Sequence, residues 1–560
     1  VSISTPLRAS ERTRAAGKLA PWAAGLALAT PLSVLYLLIS PPSGDLAAAT
    51  YRSELFARAG FTVWDNGWYA GHALPAYSLL APALGAWLGV RVLLALSAVA
   101  ASALFGLLSQ RALPLRCARA ASLAFAFGFC AELPSGRVPY DLGVAIALGA
   151  ALAMSATPRA GAIAATLVLS IAASAASPVA GAFLALAGVA LALSAVGSRR
   201  RVAAAPLVAA GAALATILLL ALAFPEGGFE PFAAAYFWPE LAAASAFAAL
   251  LPRGDLSTAG RRTLRIAACL YALSLIASFL VKTPMGGNVV RLGAMFGPPI
   301  LLGVLWSGTG VSIARRKDAG RLVLLVLCPL LLYWQLATAI EDQVTLAGDS
   351  TVRASFYAPL RTELLQLAAG APIRVEVPLT NAHWESAYLP GGPISIARGW
   401  ERQLDTRYDS LFYGQLSTSA YRRWLAANAI AYVALPNAKL DSAGEQERRL
   451  VAAGLPYLRQ VWSSADWQLF AVRNAAPLVQ APARMLAIGV DSFTLQAPRP
   501  GSYEVRLHWT PYWALTSAAG CVSQAPGGFT EVQASGAGTI RVAIEPSLGR
   551  LLSQGPRCQR

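Results

Sequence analysis

The chain has 560 residues, 56% of them hydrophobic and only 13% charged, with a mean hydropathy of +0.53, whereas a soluble domain carries roughly 25% charged residues. An ordinary soluble enzyme is excluded. The formal net charge of +17 would point to nucleic acid in a soluble chain, but 25 of the 45 Lys and Arg and only 11 of the 28 Asp and Glu fall in residues 1–340, where the long apolar runs lie. The basic excess therefore belongs to a membrane-like part, and no nucleic-acid partner is expected.

Eleven apolar runs approach the length needed to cross a bilayer as helices: 20–40, 89–110, 119–134, 140–157, 161–177, 178–196, 203–224, 233–251, 264–281, 290–308 and 322–340. Basic residues gather at every second connection: Arg8, Arg12, Arg14 and Lys18; Arg111, Arg116 and Arg119; Arg159; Arg199, Arg200 and Arg201; Arg253, Arg261, Arg262 and Arg265; and Arg315, Arg316, Lys317 and Arg321. Short cytoplasmic loops carry this kind of excess, so the N-terminus is expected inside and the tail outside. A signal peptide is the alternative for the first run, but no small-residue cleavage site persuades, and a retained helix is expected. Ala-rich runs such as 144–153 fit close helix packing through small residues.

The first outer loop, residues 41–88, is too long for a mere connector. Asp45 stands just beyond the first run. Residues 46–59 have helical spacing, with Tyr51, Leu55 and Arg58 on one side and Arg52 and Glu54 more exposed, as in a helix lying on the membrane surface. Then come Trp64, Asp65, Trp68, Tyr69 and His72. With Glu54 they are candidates for a stacking and hydrogen-bonding surface for a sugar; the alternative is the ordinary aromatic belt of a membrane interface. Asp45 is the candidate general base, since a carboxylate at the boundary can take the proton of an incoming hydroxyl; a helix N-cap is its alternative role.

Other outer turns supply cations. Arg137 follows Leu133-Pro134-Ser135-Gly136, and Lys282, a Gly286-Gly287 turn, Asn288 and Arg291 share another segment. Guanidinium forks, a lysine and Gly-rich backbone suit phosphate oxygens; snorkelling to lipid headgroups is the alternative.

Residues 345–560 lack long apolar runs and divide into an α+β portion, 345–475, and a small β portion, 476–560. Alternation predicts strands at 373–377, 431–435 and 503–509, and helices at 416–428 and 443–454. The stretch from Trp384 to Tyr413, with Trp400, Arg402, Gln403 and Asp405, can bind glycan or pack the tail onto the membrane part. Cys521 and Cys558 would lie in an oxidising compartment, where a disulfide can form. No CxxC or Cys/His spacing suggests a metal site.

On Asp45 and the runs WDNGWYAGHALPAYSLLAPALG, SGRVPYDLG, SPVAGAFLALA, FPEGGFEPF, TPMGGNVVRL and RGWERQLDTRYDSLFY, the chain resembles the GT-C superfamily of membrane glycosyltransferases, and within it bacterial membrane proteins of the YfhO-like and 6-pyruvoyl-tetrahydropterin synthase-related kind. The resemblance implies a polytopic α-helical membrane protein of about 11 transmembrane helices in residues 1–344, followed by an extracytoplasmic α+β/β tail. It implies a bacterial plasma-membrane enzyme that uses a polyprenyl-phosphate sugar donor and a cell-envelope glycan, lipid or protein acceptor. Asp45 would be the base, and Arg137, Lys282 and Arg291, joined by Asn288, the donor-phosphate contacts. The paired DD or DE motif of some members is absent, so no metal or other cofactor is required on this reading. Two other classes are weighed: a transporter or flippase for a lipid-linked substrate, which the outer-boundary placement of the charges disfavours, and a non-catalytic envelope assembly protein.

Overall fold

The structure is a computed structural model and describes residues 19–157, 159–195, 203–251, 256–306, 319–517, 520–547, 549–550 and 558. Arg8, Arg12, Arg14, Lys18, Arg199, Arg200, Arg201, Arg253, Arg315, Arg316 and Lys317 lie outside the described residues.

Each of the eleven apolar runs lies on a helix: Pro21–Ile39, Val90–Ala112, Leu115–Glu132, Val138–Met154, Ala160–Ala176, Pro178–Ser194, Ala204–Ala223, Ala234–Leu250, Thr258–Leu280, Val290–Trp306 and Ala319–Leu346. By length and composition, five described stretches can cross a membrane: Pro21–Ile39, Val90–Ala112, Ala204–Ala223, Thr258–Leu280 and Gly286–Trp306. A sixth counts if Leu325–Ala337 and Ala339–Leu346, bent by 42°, form one span. The helices Val138–Met154, Ala160–Ala176 and Pro178–Ser194 are apolar but have 17 residues each, about 26 Å of helix at 1.5 Å per residue.

Small residues let the helices approach closely. A Cβ at Gly106 would collide with the Trp22 backbone and Ser122, and one at Gly25 with Ser122 and the Ser102 carbonyl, so the first three long helices meet at these positions. At the end of the bundle away from the tail, Arg111 donates to Ser155 Oγ at 2.6 Å and Arg119 to the Leu19 carbonyl at 2.7 Å, so these arginines also close the helix ends.

The tail begins with a five-stranded sheet ordered Ile394–Ile396, Ile373–Glu376, Tyr432–Pro436, Trp467–Val472, Leu458–Ser463. Its first three strands are parallel and the last two pairings antiparallel. Two of its helices start on side-chain caps: Ser417 accepts from the Ala420 N–H, and Asp441 from the Ala443 N–H at 2.7 Å, opening Thr418–Ala427 and Ser442–Ala452. A three-stranded sheet of Gly501–His508, Phe529–Ala534 and Gly520–Gln524 and a four-stranded sheet of Trp513–Leu515, Gly538–Ile544, Ser492–Ala497 and Arg484–Ile488 follow. They enclose Phe493, Leu495, Val505, Trp513, Val532 and Val542, all close to fully buried. Cys521 and Cys558 are bridged, with Cα atoms 5.3 Å apart.

The segment at 41–88 joins bundle and tail. Its helix spans Asp45–Ala59, and the following residues thread between the tail's sheets. The Ile396 N–H donates to the Gly67 carbonyl, the Asn66 N–H to Val490, and the His508 N–H to Ala70, at 2.7–2.9 Å. The expected exposure of Arg52 is corrected. Its side chain is 3% exposed, paired with Glu401 and laid over the Tyr77 ring at 4.0 Å, while Arg58 is the exposed arginine. A tail packed on the outer side of the helix turns what a lone interfacial helix would show to water into an interior face.

Candidate functional site

Asp45 is the first residue of its helix, and its carboxylate makes no capping hydrogen bond. The Leu46 N–H turns to Ser43 Oγ at 3.4 Å. The Asp45 side chain, 40% exposed, instead lies 3.5 Å from Arg137 Nε and accepts a hydrogen bond from the Trp400 indole N–H at 3.4 Å. Among the described residues these are its partners, and water reaches the remainder of the carboxylate.

Arg137 is brought there by a tight turn. The 3-10 turn Leu133–Ser135 ends at Gly136, whose φ of +76° is left-handed; a Cβ there would also run into Ser43 Oγ and the Leu46 N–H. Only glycine allows this close approach. Ser43 Oγ donates to the Ser135 carbonyl at 2.8 Å and fastens the two turns together. Arg137 also pairs with Glu132. Burial opposes its charge, but Glu132, Asp45, Asp342 and Asp141 outweigh burial and hold the guanidinium above its usual range.

Arg291, at the second position of Val290–Trp306, is half-buried, stacks over the Tyr140 ring at 5.3 Å and feels Arg137, Asp45 and Glu132. Among the described residues no carboxylate comes within salt-bridge distance of it. Glu230 completes the ring of charge, facing Arg402, Arg291, Asp45 and Arg137, with burial raising its carboxyl above the usual range. Its N–H donates to the Thr283 carbonyl at 3.0 Å, tying its loop to the Lys282–Arg291 segment.

The structure thus brings together Asp45, Arg137 and Arg291. Lys282 is exposed, its Nζ 5.0 Å from the centre of the Phe229 ring, and Asn288 spends its amide on the Pro284 carbonyl of its own turn at 3.3 Å; neither touches the Asp45 group. Of the expected sugar contacts, Glu54 is exposed. Trp64, Asp65, Trp68, Tyr69 and His72 are at most 4% exposed and present no ligand face. Trp68 is sandwiched between Tyr51 and His72, with ring centres at 4.4 and 5.6 Å, and its indole N–H donates to the Ser386 carbonyl at 2.9 Å. Tyr69 exchanges hydrogen bonds with the Glu401 backbone. Asp65 accepts from Tyr51 and the Gly67 N–H; burial pushes its carboxyl up to about 6, and burial keeps His72 neutral. An aromatic run that looks like a surface in sequence is a core once two tail sheets close over it.

Sequence reasoning did not join Trp400 to Asp45, nor place Tyr77 and Asp342 around the site. The Trp400 contact spans 355 residues, and no local pattern signals such a pairing. Among the described residues, no group of three or more His, Cys, Asp or Glu is placed to hold a metal ion. Leu292, next in the chain to Arg291, helps line a cavity of about 300 Å³ between six helices of the bundle, together with Val144, Leu148, Phe183, Phe296 and their apolar neighbours, with Glu240 and Tyr271 as its polar edge.

No family model matches the chain, and no curated protein matches it in sequence. Among solved structures, the arabinofuranosyltransferase AftD from Mycobacteria, determined by single-particle cryo-EM, aligns at 14% identity with a TM-score of 0.47, covering 93% of this chain and 57% of that one. A mutant of the same protein aligns at 18% identity with a TM-score of 0.43, covering 81% of this chain and 42% of that one. The chain spans about half the length of these structures. The narrower YfhO-like and 6-pyruvoyl-tetrahydropterin synthase-related resemblance has no counterpart among these matches.

Proposed function

We propose that the chain is a multi-pass membrane glycosyltransferase that moves a hexosyl or pentosyl group from a polyprenyl-phosphate donor to an envelope glycan, lipid or protein at the outer face of a bacterial plasma membrane. The observation that carries this reading is the half-exposed Asp45 carboxylate beside Arg137, with Arg291 lacking a carboxylate partner among the described residues and followed in the chain by Leu292 and Gly293, which line an apolar cavity in the helix bundle. A lipid phosphate needs unspent cations at the interface and an apolar channel for its chain; a hydroxyl acceptor needs a base that water and substrate can reach. The eleven-helix topology, with the N-terminus cytoplasmic, fits Arg111 and Arg119 at the far end of the bundle.

In the transfer, Asp45 takes the proton of the acceptor hydroxyl as its oxygen attacks the anomeric carbon. The bond from that carbon to the phosphate oxygen breaks, its electron pair stays on the polyprenyl phosphate, and Arg137 and Arg291 hold the resulting charge. Arg137 is shared between Glu132 and Asp45, so an arriving phosphate competes for it and loosens its hold on the base. Lys282 at the rim is a further cation for the headgroup, and Glu54 a polar group for the acceptor.

The test is sugar release by purified protein from a panel of polyprenyl-phosphate hexoses and pentoses. Asp45→Asn is expected to lower turnover by about 10²- to 10⁴-fold, the range for removing a general base, with donor binding kept. Turnover at the wild-type rate in that variant removes Asp45 from the chemistry. Glu240, 2% exposed in the cavity wall with no hydrogen-bond partner for its Oε2 among the described residues, is the observation that favours transport of a lipid-linked substrate instead. On that reading Glu240→Leu stops substrate movement across vesicles; on ours it leaves sugar transfer near wild type.

A further inference from the structure

The turn that carries Asp45 is gripped from the tail side. The Trp384 indole N–H donates to the Ser43 carbonyl at 3.0 Å, and Gln343, near the end of the last bundle helix, donates to the Pro42 carbonyl at 2.8 Å. Trp400 reaches the carboxylate itself. Trp400 is in turn fixed by His383, whose ring stacks on it with centres 3.3 Å apart and planes 6° from parallel. His383 is buried, has Asp441 Oδ2 3.4 Å from its Nε2, and is pushed down to about 4 mainly by that burial, so it stacks as a neutral ring.

We infer that Trp400 is a positioning residue for Asp45, so that the tail is part of the catalytic apparatus and its His383–Trp400 stack fixes the orientation of the base. This rests on the glycosyl-transfer reading for its kinetic consequences, though the contact stands independently of it. Arg137 alone would pull the carboxylate toward Glu132 and the bundle. The indole N–H on the opposite oxygen holds it between the two, facing the gap where Arg291, Glu230, Asp342, Tyr77 and His383 also contribute to its surroundings. A ring braced by a neutral stack is a rigid donor, and rigid orientation of a base accelerates proton transfer.

Two measurements on the full chain test it. With 5-fluorotryptophan incorporated, one of the resonances from the 14 tryptophans, identified by its loss in Trp400→Phe, is expected to change its position and its pH response in Asp45→Asn, beyond the response that the stacked His383 gives both proteins. A Trp400 resonance indifferent to Asp45→Asn overturns the inference without reference to any substrate. On the donor that turns over, Trp400→Phe keeps a smaller aromatic ring and loses the N–H. It should lower kcat about 10-fold, as expected for one hydrogen bond to a charged group, with the donor KM within about twofold. It should also move the acid limb of the kcat/KM profile to higher pH, because the ionised carboxylate has lost a donor. Wild-type kcat and profile in Trp400→Phe, beside an inactive Asp45→Asn, leave the glycosyl-transfer reading intact and sink the positioning role. An active Asp45→Asn sinks the reading while the fluorine signal still decides the contact. If Trp400→Phe fails to fold, His383→Ala, which loosens the stack without touching Asp45, must give the same shift of the acid limb; an unmoved limb rejects the inference.

Discussion

Two clusters of charge in this molecule differ in how far their charges are spent on one another. At the mouth of the bundle, Asp45 and Glu132 face Arg137 and Arg291, the Asp45 side chain is 40% exposed, and Arg291 has no carboxylate partner among the described residues. Inside the tail, Arg398 is fully buried with Glu376, Asp405 and Glu447, and Asp409 lies beside them. Arg398 meets Asp405 through a two-pronged pair at 2.7 and 3.0 Å and lies over the Phe412 ring at 4.1 Å. Four acids cannot all be ionised against one arginine in a dry interior. Burial and mutual repulsion hold Glu376 and Asp409 well above the carboxylate range and push Glu447 up to about 7, while Arg398 keeps Asp405 ionised. The open cluster keeps a spare cation and reachable oxygen; the closed one sets its charges against one another, away from water.

If that contrast is right, the closed cluster governs stability and the open one governs binding. Arg398→Ala should be the most damaging substitution, costing about 3–5 kcal/mol of tail stability, because a buried carboxylate is left without its partner; thermal unfolding within 1 kcal/mol of wild type would break the comparison. Arg291→Ala should leave the unfolding transition in place and weaken binding of polyprenyl phosphate about 10- to 100-fold, since a charge-assisted phosphate contact is lost; Arg291→Lys should restore part of it. Equal binding by the alanine variant would assign that charge to the fold instead.

The pH dependence sharpens the contrast. Glu447 is pushed up to about 7 by burial in the folded tail, whereas an exposed glutamate ionises near 4.3. Between those values the unfolded chain has released its proton and the folded tail has not, so the contribution of Glu447 to stability is greatest below about pH 4, falls as pH rises and levels off above about 7. Glu447→Gln should therefore gain on wild type from pH 5 to 8, by about 2 kcal/mol as an order of magnitude, when the two are followed by denaturant unfolding. A constant difference would mean that Glu447 is ionised throughout. The smallest expected effect is at Gly136. Alanine there must adopt a left-handed φ against Ser43 and Leu46, a strain of about 1–2 kcal/mol; it should also part Arg137 from Asp45 and lower turnover more than stability. A variant with full turnover would show that the two turns need not touch.

Much of the membrane part was legible because its physics is local. All eleven apolar runs became helices, and five pass the length and composition test for a span, or six with the bent pair. The remaining helices are shorter or less apolar, so their count as spans depends on packing and tilt that hydropathy does not encode. The tail strands at 373–376, 432–436 and 501–508 were visible from alternation, and the Thr418–Ala427 and Ser442–Ala452 helices from periodicity. Asp45 and Arg137 could be singled out because charge at a membrane boundary is costly and conspicuous. The aromatic run was misleading in a definite way: Trp and Tyr serve a belt, a sugar surface and a core equally well, and only the strands that cover Trp68 decide among them.

The sequence by itself determined that this is a helical membrane chain with a mixed α and β tail, because hydrophobic run length and residue alternation are set by neighbours a few positions apart. Tertiary structure alone decided which charges meet. Arg137 reaches Asp45 because Gly136 lets two turns touch, Trp400 reaches it across 355 residues, and Arg398 closes on its acids while Arg291 has none within reach among the described residues. Such pairings follow from the packing of distant segments, and the energy of a charge depends on what surrounds it more than on what precedes it in the chain.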